Sequence, residues 1–164
     1  MGIRLTEPSS DPAGLDDLAP LWMELHAHHR EVASYSDLVE DLDASWQRRR
    51  SWYRRLLDEG AAYIVARNDD GPAGYAMVSL ALGPDDTFAA RGGIAEVVTL
   101  VVARRHRGSG VGRALLGAAE ALATGRGADV VRIAVMAGNA RAEGFYESQG
   151  YAVAEHLLYR RLGR

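Results

Sequence analysis

The stretch AEVVTLVVARRHRGSGVGRALL, residues 95–116, decides the fold class of the chain. Its first half is too continuously apolar for a half-exposed strand, so it predicts a central strand over residues 94–102. Its second half returns to helical spacing and predicts a helix that starts near Val111. Between the two lies RGSGVGR, residues 107–113, where unpaired N–H groups and the positive end of a helix dipole converge. The turn therefore predicts an anion site.

The segments on either side of this stretch complete one α+β domain over residues 1–164, with helices layered on both faces of a mixed sheet. Upstream, the patterns predict a strand at residues 3–6, helices over 15–32 and 43–59, and a hairpin formed by AAYIVARN, DDG and AGYAMVSLAL. Residues 83–93 are then predicted to form a loop. Downstream, the patterns predict the buried strand VVRIAVM, a short helix over 139–149, and one long strand or a tight strand pair over 151–162.

Composition excludes several kinds of chemistry. The 164 residues are 48% apolar and 25% charged, proportions typical of a globular domain. The absence of cysteine excludes disulfides, thiolate metal sites and a cysteine nucleophile, and no metal is expected. A net charge of −3 argues against a general nucleic-acid binder. No apolar run approaches the roughly 20 residues of a membrane span, and no signal peptide is recognisable, so a cytoplasmic protein is expected.

Two common phosphate-binding motifs do not fit the glycine turn. The motif GxxxxGK followed by Ser or Thr requires a lysine, and the chain has none, because its 19 Lys and Arg positions are all arginine. The motif GxGxxG requires a different spacing, because Gly108, Gly110 and Gly112 form GxGxG. The glycines alone therefore leave two alternatives open, a phosphate site and a plain strand-to-helix turn.

The turn and a second segment resemble a known family. RGSGVG resembles the pyrophosphate turn Q/R-x-x-G-x-G/A of the GNAT superfamily of N-acetyltransferases, which lies between a strand and a helix. NARAEGFYESQGY, residues 139–151, resembles the second motif of that superfamily, N-x-x-A-x-x-F-Y-x-x-x-G-F/Y. The matching residues are Arg107, Gly110 and Gly112 in the first motif, and Asn139, Ala142, Phe145, Tyr146, Gly150 and Tyr151 in the second. The resemblance implies a GNAT-like fold, with a central mixed, mostly antiparallel sheet, splayed central strands and about four flanking helices.

The resemblance also implies acetyl-CoA (coenzyme A) as the cofactor. Its pantetheine arm would pair with the main chain at the splayed strands, and its pyrophosphate with the amides of the turn. The cofactor-binding residues implied are Leu100, Val101, Val102, Arg107, Gly108, Ser109, Gly110, Val111, Gly112, Arg113, Asn139 and Tyr146. Asn139 is equally a favoured N-cap for the helix that follows it, and both roles can hold.

Two side chains are candidates for the chemistry of acetyl transfer. The resemblance places Tyr146 near the thioester sulfur, where its phenol, with an ordinary pKa of about 10, can act as general acid. Glu96 lies where several family members carry a carboxylate that faces the acceptor amine, and it is the candidate general base, with His28, His29 or a water molecule as alternatives. The alternatives are a core tyrosine on an amphipathic helix and a glutamate at the solvent-side start of a strand. The expected oxyanion donor is a backbone N–H at the strand bulge, near Leu100.

The acceptor is expected to be a primary amine of a small molecule or peptide. Its candidate binding residues are His28, His29, Trp46 and Tyr53, with surface or packing histidines and a core aromatic stripe as the alternatives. The reaction is expected to be direct attack in a ternary complex, by a monomer or homodimer without nucleic-acid or membrane partners. Two other functions stay open: a non-catalytic acyl-CoA-binding sensor or interaction module with the same fold, and an RNA-associated factor that binds through RRRSWYRR, residues 48–55.

Overall fold

One mixed sheet organises the chain in a computed structural model that describes residues 2–80 and 86–163. The strands are β1 (Arg4–Leu5), β2 (Ala62–Asn68), β3 (Gly71–Ser79), β4 (Ile94–Val102) and β5 (Val130–Arg132). They lie side by side in chain order; the first four are antiparallel, and β5 is parallel to β4. The helices are α1 (Ala19–Val32), α2 (Leu42–Asp58), α3 (Val111–Gly125) and α4 (Ala140–Ser148), with short 3₁₀ segments at Pro12–Leu18 and Arg104–His106.

Aspartates set where the helices on one face of the sheet begin. Asp11 accepts a hydrogen bond from the Ala13 N–H at 2.9 Å and precedes Pro12, whose missing N–H and fixed φ suit a first helical position. Asp41 Oδ1 accepts from the Ala44 N–H at 2.6 Å and starts α2. These carboxylates satisfy amides that would otherwise lack an acceptor, so both helix starts are closed.

The strands turn alternate side chains toward two separate cores, which gives three layers. Tyr75 and Met77 of β3 pack with α1 and α2, whereas Ala76 and Val78 pack with α3 and α4. Leu115 of α3 is fully buried in the second core. The expected α+β fold, with helices on both faces of a mostly antiparallel sheet, is confirmed. Across the described residues, no helix is long and apolar enough to cross a bilayer.

An extra residue in β4 marks the place where the sheet opens. Thr99 pairs with Met77 and Val97 pairs with Val78, so Val98 between them has no partner on β3. Such a bulge bends a strand and places two consecutive side chains on one face. Val98 and Thr99 both lie on the face covered by α1 and α2.

β4 and β5 separate soon after they pair. The parallel pairing ends at Glu96 opposite Arg132, and β4 continues to Val102 with a partner only on its β3 side. The side of residues 97–102 that faces β5 therefore has no strand partner within the described part of the chain. The expected splay of the central strands is confirmed.

Two of the expected strands are wrong in extent. VVRIAVM forms a strand only over residues 130–132, which are half-buried or exposed, because β5 leaves β4 at that point. Residues 151–162 form no strand, and Leu158 is 94% exposed. Apolar side chains favour a strand, but a strand also needs a neighbouring edge to bond, and this segment bonds to none of the described strands. The predicted structure of residues 81–85 lies outside the described residues.

Candidate active site

The glycine turn leaves the N-terminus of α3 without acceptors for its amides. Gly110 is the N-cap, with φ of 87° and no side-chain hydrogen bond, and Gly108 has φ of 80°. Six consecutive backbone N–H groups, at residues 108–113, have no acceptor among the residues the structure describes. By contrast, Asp41 caps α2 and Asn139 caps α4. The N-terminus of α3 is therefore open to an outside anion.

Gly108 and Gly110 are needed for conformation rather than for space. A Cβ atom at either position would meet no other atom within 4 Å, but a positive φ strains any residue with a side chain. Gly112 differs, because a Cβ there would lie 3.5 Å from the Phe145 ring and 3.6 Å from Val102. The first two glycines shape the turn, whereas a Cβ at the third would make only ordinary van der Waals contacts.

A cavity of about 460 Å³ opens beside the turn. It is lined by Ile3, Leu5, Asn68, His106, Ser109, Gly110, Val111 and Ala114. Three of the residues expected to bind the cofactor, at positions 109–111, therefore border open space.

Arg107 points into the molecule rather than toward the open turn. Its Nε donates to the Val102 carbonyl at 3.1 Å, and its Nη2 lies 3.4 Å from Glu24 Oε1 on α1. The same carboxylate oxygen accepts from the Arg104 N–H at 2.6 Å. These contacts support a positioning role for Arg107 in place of the expected phosphate contact. Arg113, on the first turn of α3, is exposed and can add positive charge at the turn.

The splayed part of β4 offers main-chain groups to a ligand. Of the three residues expected there, Leu100 and Val102 face α3, and Val101 faces α1 and α2. The Val102 carbonyl already accepts from Arg107. The bulge is at Val98, two residues before its expected position near Leu100. An extended ligand arm can use the free side of this segment as an added strand would.

Tyr146 lies on α4, in the core that borders the splayed strands. Its ring packs in the same core as Val97 of β4 and Ile133 beyond β5, and it makes edge contacts with Phe145 and Tyr151 at centroid distances of 5.1 and 5.7 Å. Burial raises the pKa of the Tyr146 phenol well above its usual range. Its hydroxyl bonds to no other described residue and is not sealed from solvent. The phenol is thus protonated and available as a donor.

Asn139 and Glu96 have partners within the fold. Asn139 Oδ1 accepts from the Ala142 N–H at 3.3 Å, which is the capping role. Glu96 precedes Val97, which faces α3, so Glu96 lies on the face covered by α1 and α2. Its Oε2 accepts from Arg132 Nη2 at 2.8 Å and Nε at 3.0 Å. This ion pair ties β4 to β5 at the last residues before the splay.

A second cavity, of about 320 Å³, lies between α1 and α2 on the opposite face of the sheet from α3. We call it the α1–α2 cavity; it is lined by Trp22, His26, His29, Leu38, Val39, Ser45, Arg48, Arg49, Trp52 and Met136. Met136 follows β5 in the chain, so the cavity adjoins the splay. The lining is aromatic and cationic, and it contains no carboxylate.

Only one of the four side chains expected at the acceptor, His29, lines this cavity. His28 Nδ1 lies 3.7 Å from Glu31 Oε2 of the same helix, and His28 does not line the cavity. Trp46 and Tyr53 are 3% and 0% exposed and pack in the core, as the alternative of a core aromatic stripe expects, and neither ring lines the cavity.

Sequence reasoning missed several residues of the cavity. Trp22 and His26 stack with their ring centroids 5.9 Å apart, and His26 Nε2 donates to the Val39 carbonyl at 2.7 Å. A signal was present in the sequence, because Trp22, His26 and His29 are spaced four and three residues apart and share one face of a helix. Arg49 could not be found in this way, because its direction depends on packing.

Comparison with known proteins decides the family. The model of the acetyltransferase (GNAT) family matches residues 22–151. The chain belongs to the GNAT family. Among curated proteins, none matches the sequence.

Solved structures share the fold of this GNAT chain at low sequence identity. A mutant of the BH1408 protein from Bacillus halodurans has a TM-score of 0.77 at 19% identity, and the match covers 99% of each chain. A GCN5-related N-acetyltransferase from Ralstonia eutropha has a TM-score of 0.76 at 19% identity, over 99% of this chain and 100% of that one. An aminoglycoside N-acetyltransferase in complex with CoA has a TM-score of 0.66 at 14% identity, over 99% and 100%.

Acetyl-CoA is the cofactor of GNAT proteins, and the residues present here fit it. The six free amides at residues 108–113 are donors for a pyrophosphate, and the two positive-φ glycines keep the turn clear of side chains. The free side of residues 97–102 suits an extended arm that pairs with main chain. When bound, acetyl-CoA supplies an acetyl group on a thioester.

We expect His29 to make this GNAT chain less stable as the pH falls. Burial, with His26, His28 and Arg49 nearby, lowers the pKa of His29 from its usual 6.5 to about 4. Between these values the unfolded chain binds more protons than the folded one, so the free energy of unfolding falls as the pH drops through that window. His29→Asn should therefore flatten the pH dependence of the melting temperature between about pH 7 and pH 5, above most carboxylate titration. Exposed His156→Asn, which removes a histidine that does not act on His29, should keep the wild-type slope, and an unchanged slope in His29→Asn would contradict the expectation.

Proposed function

We propose that this protein is an N-acetyltransferase that transfers the acetyl group of acetyl-CoA to a primary amine by direct attack in a ternary complex. The observation that carries the proposal is the placement of the open turn and the α1–α2 cavity on opposite faces of one splayed strand pair. A donor held from one face and an acceptor held from the other can meet in the gap between β4 and β5. Holding both reactants in this way supplies much of the rate enhancement in group transfer.

The cavity favours the form of the amine that reacts. The acceptor nitrogen bonds to the acetyl carbon while the bond from that carbon to the CoA sulfur breaks; one proton leaves the nitrogen and one reaches the sulfur. The attacking amine must be neutral. Arg48 and Arg49 raise the free energy of an ammonium group placed near them, so they favour the deprotonated amine.

Tyr146 and Glu96 are the proposed acid and base. Tyr146 holds its proton at neutral pH, and its free hydroxyl lies beside the splay, so it is placed to protonate the departing sulfur. Arg132 engages only Oε2 of Glu96, which leaves Oε1 to accept a proton from a bound amine or an intervening water. A main-chain N–H at the β4 bulge is the proposed donor to the oxyanion.

Turnover with added amines tests the proposal. Purified protein with acetyl-CoA and a panel of primary amines should release CoA continuously, with one N-acetylated product per CoA by mass spectrometry. The chain has no lysine, so its own side chains offer no competing amine. Stoichiometric binding of acetyl-CoA with no turnover of any amine would contradict the proposal and favour an acyl-CoA sensor.

The RNA-associated alternative depends on the arginines of residues 48–55. Arg48, Arg54 and Arg55 are exposed, but the other two arginines of this segment are not free to bind a polyanion. Arg49 turns into the α1–α2 cavity, and Arg50 Nη2 pairs with Asp16 Oδ2 at 3.0 Å. Charge that is already neutralised or buried releases few counterions from a polyanion, so it contributes little to RNA affinity.

A further inference from the structure

Arg49 carries a charge that the fold does not neutralise. Its guanidinium carbon lies 3.9 Å from the ring centroid of Trp22, 4.6 Å from that of Trp52 and 5.6 Å from that of Tyr53. These rings remove water from the guanidinium, and this burial lowers the pKa of Arg49. No carboxylate among the described residues forms an ion pair with it, and unlike the exposed arginines that also lack one, Arg49 is partly removed from water.

A half-buried cation without a counter-charge is costly, and stacking on aromatic rings together with a hydrogen bond to Tyr53 recovers only part of that cost. The lining of the α1–α2 cavity offers no compensation, because its other charged side chain is Arg48 and it contains no Asp or Glu. His29 adds no negative charge in any form. The free energy of the site therefore falls when an anion enters it.

We infer that the acceptor amine of this protein carries a carboxylate, which Arg49 binds inside the α1–α2 cavity. The inference rests on the proposed N-acetyltransferase function. A guanidinium fork matches a planar carboxylate with two parallel hydrogen bonds, and such charge-assisted pairs are strongest where water is excluded. Trp22 and Trp52 form an aromatic wall beside the fork, which suits an acceptor with an apolar or aromatic body.

The same charges exclude a different class of acceptor. A polyamine or an aminoglycoside brings several ammonium groups, and each would meet Arg48 and Arg49 with no carboxylate in the lining to offset the repulsion. An amino acid or a related amino-carboxylate brings one anion for Arg49 and one amine for the acetyl group. Amino-carboxylates are therefore the predicted substrate class, and polycations are excluded.

Matched acceptor pairs test the inference. Phenylalanine and phenylalaninamide, and leucine and leucinamide, differ in the carboxylate alone, and the amide of each pair has the less basic and intrinsically more available amine. We expect the acid to be preferred at least about tenfold in kcat/KM, as a charge-assisted hydrogen bond in a desolvated site allows. Arg49→Met, which keeps the apolar stem on the indole rings, should remove this preference, and Arg49→Lys should keep only part of it. Arg55→Gln, on the exposed surface of the same helix, is the control and should keep the wild-type preference.

A binding measurement separates failure of this inference from failure of the proposed function. Calorimetry of the CoA-saturated protein with N-acetylphenylalanine and N-acetylphenylalaninamide needs no turnover. Tighter binding of the acid that is lost in Arg49→Met supports the anion site even if no amine is acetylated. Acetylation of the amides, of spermidine or of kanamycin as efficiently as the acids would overturn the inference while the proposed function stands. Equal binding of the two N-acetyl compounds would overturn it as well.

Discussion

Tyr146→Phe is expected to lower kcat by about a hundredfold or more, while the KM for acetyl-CoA stays close to that of the wild type. The phenylalanine keeps the edge contacts with Phe145 and Tyr151 and its place in the core that also contains Val97, so the site retains its shape. What it loses is the hydroxyl that we propose protonates the leaving sulfur. A loss confined to kcat is the signature of a group that acts in the transition state rather than in binding. Steady-state kinetics of thiol release measures both constants.

Tyr151→Phe is the matched control for this variant. Tyr151 belongs to the same aromatic cluster, but its hydroxyl already donates to Glu120 Oε1 at 2.9 Å. Removal of that hydroxyl should leave kcat near the wild-type value. If the two variants have the same kcat, or if Tyr146→Phe turns over at the wild-type rate, Tyr146 is a core tyrosine and not the general acid.

The second large effect is expected from the turn. Replacement of Gly108 and Gly110 together by alanine should raise the KM for acetyl-CoA roughly a hundredfold, because the loss of two hydrogen bonds to a charged group costs about 3 kcal/mol or more. Both glycines have positive φ, where an alanine costs about 1–2 kcal/mol each. The strained turn would relax and rotate amides of residues 108–113 away from the pyrophosphate. Titration of acetyl-CoA by calorimetry gives the affinity directly.

Gly117→Ala is the control for the double variant. Gly117 lies in the same helix at an exposed position, with no other atom within 4 Å of its Cβ direction and no positive φ. Alanine there should stabilise the protein by about 0.5–1 kcal/mol and leave acetyl-CoA binding unchanged. Wild-type affinity in the Gly108→Ala, Gly110→Ala variant, with the fold retained, would show that the turn does not hold the cofactor.

Much of the fold and of the cofactor side could be predicted from the sequence because the signals there are local. The continuous apolar run of residues 94–102 indicates a central strand, and the glycines at 108 and 110 indicate a left-handed turn before a helix. Both depend on backbone geometry that neighbouring residues determine. The second motif, residues 139–151, also predicted Tyr146, because the spacing of the motif places this residue on α4.

The acceptor side could not be predicted to the same extent. Helical spacing correctly placed Trp46 and Tyr53 on one stripe of α2, but spacing does not say that this stripe faces the core while Arg49 and Trp52 turn toward the cavity. That choice depends on how α1 packs across α2, which is a property of distant contacts. The strand predicted at residues 151–162 was wrong for a related reason: its apolar pattern is clear, but no strand in the described part of the chain pairs with it.

The uncapped N-terminus of α3 also makes the stability of the folded protein depend on the concentration of coenzyme A. An anion that binds only the folded state stabilises that state. The gain is about 2.7 kcal/mol when the anion concentration is a hundred times the dissociation constant. The six amides at residues 108–113 have no protein acceptor in the folded state and can bind such an anion there, whereas in the unfolded chain they are hydrated. The steady-state abundance of the protein is therefore expected to follow the supply of coenzyme A, with proteases removing more of the chain when that supply runs low.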